Sequence, residues 1–305
     1  MRHDGFFSLN HPRSFVLAGL LLAFALPVAS AVDKTGMPEL SQVEQTCLPT
    51  SVADLLIWFG RHGYPKLVQG LPSETEDERD KHTVHLLMAD THARYDWGTG
   101  MSYIISGIKK YVQDAGYDCD IEYRGLGASN LDGAAAFSQD WLKENDDPNK
   151  GFILLLAYCH YDEGSGTYTS LLNTGHAVAL ITAEPDMLLV DDPAHRDDEP
   201  GRKILTPQVL NGGFWRSPGA VVPVSGLLLL SGSLLDAPFD SKILMIGAIC
   251  ITMHPHNDHP GSTSPAPAGL PDKTIAGNNG VPSQPAPSTG ATSWLTWLYN
   301  LFFSK

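Results

Sequence analysis

The most constraining stretch of this chain is a cysteine followed two residues later by proline: Gln45-Thr46-Cys47-Leu48-Pro49-Thr50-Ser51 runs directly into VADLLIWFG. Val52, Leu55, Leu56 and Phe59 recur at i, i+3, i+4 and i+7, the stripe of a helix with one buried face. Proline is tolerated in a first helical turn, so the pattern puts Cys47 at or just before the helix N-terminus. Unpaired N–H groups and the positive end of the helix dipole favour a thiolate over a thiol there. A cysteine in that setting is a candidate nucleophile.

A thiolate also needs a cation that can later act as an acid. Thr174-Gly175-His176-Ala177-Val178-Ala179-Leu180-Ile181 offers one, because His176 opens an apolar run that reads as a buried strand. The run turns at Glu184-Pro185-Asp186, and a second apolar piece, Met187 to Val190, leads into Asp191-Asp192-Pro193. If the two pieces form a hairpin, the carboxylate of Asp192 returns to His176 and orients its imidazole.

Cys-x-Pro-Thr-Ser at a helix start, Gly-His-Ala-Val opening a strand and Asp-Pro after the next strand resemble the papain-like cysteine peptidases, specifically the branch typified by bacteriocin-leader-processing peptidases. The resemblance implies Cys47 as nucleophile, His176 as its base and acid, and Asp192 as the orienting residue. His176 and Asp192 lie 129 and 145 residues after Cys47, close to the roughly 130–150 seen in papain-like enzymes. The family usually carries glycine after the cysteine, where this chain has Leu48. It also places a glutamine about six residues before the cysteine, whose amide helps the cysteine N–H bind the developing oxyanion. Here Gln42 stands five residues before and Gln45 two before. Gln42 is preferred, because a side chain two residues from Cys47 has little room to fold back over it.

Residues 1–31 read as a secretory signal: Arg2 and Arg13 flank the start, SFVLAGLLLAFALPV forms an apolar core, and Ala29-Ser30-Ala31 is a cleavage site. The apolar core is shorter than the ~20 residues that span a bilayer, so export to a secreted or periplasmic location is expected, with cleavage after Ala31. Removing this segment changes the formal charge from −14 to −15. Such an acidic chain, with no basic run, is a poor nucleic-acid binder. Of its four cysteines, Cys119, Cys159 and Cys250 read as small buried apolar residues, with a Cys119–Cys159 bridge as the alternative. No C-x-x-C occurs, and no cofactor or metal is indicated. The acidic cluster Asp197-Asp198-Glu199 lacks the alternation of a calcium loop, and His254, His256, Asp258 and His259 read as a solvated linker start.

Between the motifs, 73–81 reads as a charged helical face or loop, 82–95 as helix, and the run from Ile104 to Ala115 as a helix packing against the Cys47 helix. Tyr117 to Tyr123 alternates as a half-buried strand, Gly133 to Glu144 is helical, Gly151 to Tyr158 is a buried strand, and 162–173 is a polar loop. Two further strands are expected at Ala220 to Leu230 and Lys242 to Met253. From Pro260 to Ser293 the composition cannot bury enough apolar surface to fold. Trp294 to Phe303 then closes the chain with an aromatic segment suited to a partner groove or a membrane interface.

The expected fold class is α+β and papain-like, a helical half carrying the nucleophile packed on an antiparallel sheet half carrying His and Asp. Its peptidase domain would span 32–253, between the signal peptide and a low-complexity tail at 254–305. The expected activity is hydrolysis of a peptide or protein substrate by an exported thiol protease through Cys47, His176, Asp192 and Gln42. The alternatives are acyl or γ-glutamyl transfer on the same fold, and a non-catalytic binding domain in which Cys47 is merely buried.

Overall fold

The computed structural model describes residues 33–43, 46–93, 101–126, 138–196, 199–217 and 220–254. Helix α1 (Cys47–Arg61) starts at the cysteine itself, and every residue from Leu48 to Gly60 is buried. The expected one-sided stripe is therefore a core helix covered all round. Trp58, which lies off the stripe, is stacked on His62 with ring centroids 4.2 Å apart, and the Lys34 ammonium sits 5.0 Å over its ring.

The acidic run and the segment after it form a single helix, α2 (Glu76–Asp90), opened by a reciprocal capping box between Thr75 and Glu78. Arg61 at the end of α1 pairs with Asp80 at 2.7 Å and Glu76 at 2.7 Å, tying α2 to α1. Helix α3 (Met101–Asp114) packs on α2 and on the first strand. A four-residue helix α4 (Gln139–Leu142) precedes the long strands.

Nine strands follow among the described residues: β1 (Asp118–Gly125), β2 (Lys150–Asp162), β3 (Thr167–Glu184), β4 (Met187–Asp191), β5 (Arg202–Val209), β6 (Phe214–Ser217), β7 (Ala220–Pro223), β8 (Leu228–Ser231) and β9 (Lys242–His254). Strand β2 pairs with both β3 and β9, so β2, β3, β4, β5, β8 and β9 close into a six-stranded antiparallel barrel. Strand β1 is added outside β9, while β6 joins β3 in parallel and carries β7.

This architecture overturns the papain-like α+β expectation. The molecule is mostly sheet, organised around a closed barrel, and the helices are short additions to it. The physical reason lies in β2 and β9, which are buried at every position from Gly151 to Cys159 and from Ile243 to Ile251. Strands with two apolar faces need cover on both sides. By pairing with each other they close the sheet on itself and leave no edge in the ring.

Several local expectations change with it. The supposed polar loop 162–173 is largely strand, since β2 turns at 163–166 and re-enters as β3. Ala220 to Leu230 is two strands separated by Gly226, whose φ of 89° suits a turn. Ile243–Met253 lies within barrel strand β9, and no helix among the described residues is long and apolar enough to cross a membrane.

All four cysteines are free. Cys119 stands opposite Met253 and Cys159 opposite Lys242, near the two ends of β9. That separation, roughly 36 Å at the usual strand rise, rules out the Cys119–Cys159 bridge.

Candidate active site

Three elements converge on one place. The first turn of α1 supplies Cys47, which is partly exposed. Ahead of it, the Thr46 hydroxyl accepts from the Val43 N–H at 3.0 Å and donates to the Val43 carbonyl at 2.8 Å, which folds the approach to the helix. Helix geometry leaves the N–H groups of Cys47 and Leu48 without intrahelical acceptors. The Ser51 hydroxyl donates to the Ala177 carbonyl at 3.0 Å and so fastens this turn to β3, one residue past His176. Leu48 is 7% exposed and belongs to the hydrophobic core.

Strands β3 and β4 supply the other two groups. They form a hairpin with Glu184 opposite Met187, turning through Pro185 and Asp186, and with Ala179 opposite Asp191. The next residue after β4, Asp192, thereby returns to His176, and Nε2 of the ring lies 2.7 Å from Asp192 Oδ1. Both groups are almost completely buried. Asp192 also accepts from the Ala194 N–H at 2.9 Å and the Leu235 N–H at 3.1 Å, so both its oxygens are engaged.

Asp192 is held as a carboxylate. Burial pushes it up, but the hydrogen bond and charge of His176, together with the two backbone N–H groups, win and set its carboxyl below the ordinary value. A carboxylate only accepts, so Nε2 carries the hydrogen and Nδ1 is left for the other side of the ring. Cys47 is close enough to the imidazole to influence its hold on a proton, while Nδ1 has no partner in hydrogen-bond geometry. Burial alone would strip His176 of its proton, yet Asp192, Cys47 and Asp236 outweigh it and hold the ring well above the ordinary imidazole range. The arrangement brings a helix-start cysteine, an imidazole and a buried carboxylate to one place.

Gln42 is half-buried, and its backbone N–H donates to the Pro193 carbonyl at 2.7 Å, so the segment ahead of α1 is tied to the turn that holds Asp192. Its amide oxygen is buried with no hydrogen-bond partner. Gln45, the other candidate, lies outside the described residues. So do the signal segment 1–31, Asp197 and Asp198, and the tail from 255 onward with His256, Asp258, His259 and Trp294 to Phe303. Of the described members of these groups, Glu199 pairs with Lys203 at 3.1 Å and His254 with Asp120 at 2.9 Å. Among the described residues, no group of three or more His, Cys, Asp or Glu is placed to hold a metal ion.

Sequence reasoning missed two features. The first is Asp236, in the connection between β8 and β9, with Oδ2 3.1 Å from His176 Nδ1. No motif surrounds it, and nothing in SLLDAPFD marks it as near a site 60 residues earlier. The second is a buried acid pair behind Asp192. Asp54, in the middle of α1, and Asp191, at the end of β4, are 0% and 1% exposed. Burial raises both carboxyls, Asp54 well above its ordinary range and Asp191 to about 8; the charge of Asp191 pushes Asp54 further up, and that of Glu39 does the same to Asp191. A carboxylate inside an otherwise apolar helix, Ala53-Asp54-Leu55-Leu56, was the available signal.

In comparisons with known proteins, no family model and no curated sequence matches this chain.

Proposed function

We propose that this chain is an exported cysteine peptidase working through Cys47, His176 and Asp192. The reading is carried by one observation: an imidazole that interacts with a helix-start cysteine is bonded on its opposite nitrogen, at 2.7 Å, to a buried carboxylate. Each group taken alone is common in proteins with no catalytic role; the three together, in this order, do the work of nucleophile, base and orienting acid.

In the proposed reaction the Cys47 thiolate attacks the carbonyl carbon of a peptide bond, forming a C–S bond and placing negative charge on the carbonyl oxygen. The Cys47 N–H and the Gln42 amide would receive that oxyanion. As the C–N bond breaks, His176 gives its Nδ1 proton to the departing amine and leaves a thioester on Cys47. Water, losing a proton to the now neutral imidazole, attacks the thioester and releases the acid with the thiolate restored. Asp192 keeps the ring in the tautomer and orientation that both proton transfers require.

The test is whether Cys47 behaves as an activated thiol in the folded mature chain. Iodoacetamide should label Cys47 stoichiometrically near neutral pH, and His176→Ala should abolish that fast labelling. Mass spectrometry of a peptide mixture should show cleavage that disappears in Cys47→Ala. An unreactive Cys47 in the folded protein would sink the peptidase reading.

A further inference from the structure

Beyond the three groups of the proposed reaction stands a second carboxylate, and we propose that Asp236 is a positioning residue for His176: anchored by Tyr158, it holds the Nδ1 side of the ring and stabilises the imidazolium that partners Cys47. The role rests on the peptidase reading above.

The geometry is specific. Asp236 Oδ2 lies 3.1 Å from His176 Nδ1, at an angle outside hydrogen-bond geometry, so the contact is one of charge. The Tyr158 hydroxyl, on β2, donates to the other oxygen, Oδ1. The Tyr158 ring is also stacked with the imidazole, centroids 6.4 Å apart and planes within 21°. One residue earlier, the Leu235 N–H donates to Asp192 Oδ2 at 3.1 Å. The β8–β9 connection therefore touches both ends of the His–Asp unit, through its backbone at Asp192 and its carboxylate at His176.

Asp236 is about one-third exposed, unlike the sealed Asp192. A carboxylate in that position invites a second reading, as a subsite for a cationic substrate group. Its two oxygens are already engaged by Tyr158 and His176, which favours the internal role. The ionisable groups facing the imidazole among the described residues are Cys47 from α1, Tyr158 from β2, Asp192 after β4 and Asp236 from the β8–β9 connection. Only Asp192 and Asp236 add negative charge that persists when the thiolate is consumed as thioester. Asp192 is needed for orientation. Asp236 then contributes mainly charge, keeping the ring protonated until it meets the leaving amine.

The experiment is a pH titration of the His176 ring by NMR in histidine-labelled protein, with the resonance assigned by its loss in His176→Gln. In the wild type the ring should stay protonated above the ordinary imidazole range. Asp236→Asn should lower the midpoint by about one pH unit or more, as expected for losing an opposite charge within 4–6 Å, while Asp236→Glu should keep most of the wild-type value. Asp236→Ser serves as a second charge-removing variant, and its partly exposed site should tolerate the change. A wild-type ring that titrates as an ordinary imidazole, with Cys47 unreactive, overturns the ion pair and this role together. A raised wild-type midpoint that moves by less than about 0.3 unit in both charge-removing variants overturns the role of Asp236 alone.

Discussion

Asp191 and Asp192 are neighbours in the chain and both are buried, yet the fold treats them in opposite ways. Strand alternation sends successive side chains to opposite faces, so Asp192 meets His176 while Asp191 meets the interior, where Asp54 waits. Asp192 has a cation and two backbone N–H donors, and its proton is lost easily. Neither oxygen of Asp191 has a hydrogen-bond partner, and its proton is kept up to about pH 8. Gly201 lies so close that a Cβ there would come within 2.6 Å of Asp191 Oδ1. Depth of burial thus says little about ionisation; the partners supplied at each position decide it.

The contrast can be tested at both residues. Asp192→Asn should leave the barrel folded but present Nε2 with the wrong hydrogen-bonding group, lowering kcat/KM on any peptide substrate by on the order of 10³–10⁴. A loss below tenfold would mean that the buried acid is not the orienting group. Gln42→Ala, on the segment bonded to Pro193, should reduce kcat by on the order of 10²–10³ through loss of an oxyanion donor, while the iodoacetamide labelling rate of Cys47 stays near wild type. Equal loss in both assays would instead assign Gln42 to holding the cysteine.

Asp191 should behave as a stability group with a pH signature. Its folded carboxyl is raised to about 8, whereas an unfolded one releases its proton near 3.9. Between those values the folded chain binds the extra proton, so its stability is full below about pH 4 and is lost progressively as pH rises through 8. Asp191→Asn removes that loss. Its Tm should exceed the wild type's by several degrees, on the order of 5 °C, at pH 8–9, with little difference near pH 4 and kcat/KM changed by less than a few fold. An identical Tm difference at both pH values would show that Asp191 is not the group that titrates.

The parts of the site that were legible in the sequence are local. Pro49 marks the start of α1, and Glu184-Pro185-Asp186 sits between two apolar runs short enough to return Asp192 to His176. The barrel was not legible, because its closure depends on Ile153 lying beside Ile249, almost a hundred residues on, and apolar runs carry no record of their partners. The same holds for Asp236, whose approach to His176 follows from the closure that places the β8–β9 connection beside β2. The all-round burial of α1 escaped notice because amphipathic periodicity counts residues on one face and cannot see the arm and strands that cover the others.

That arm, residues 33–43, has a mechanical consequence. It is fastened by Lys34 to the Asn145 carbonyl, by Thr35 and Glu39 to Arg202, by Glu39 to Gly201, by Leu40 to Asp54 and by Gln42 to Pro193. Gln42 is thus the last rivet of a belt that also grips Gly201, whose carbonyl accepts from the Asp192 N–H, and Asp54 behind it. A cut in the peptide bond between Leu40 and Ser41 would part Gln42 from the Glu39 and Leu40 tethers and leave the strip that carries the amide held by Pro193. On the proposed reaction, cleavage there would silence the chain without touching any group that reacts.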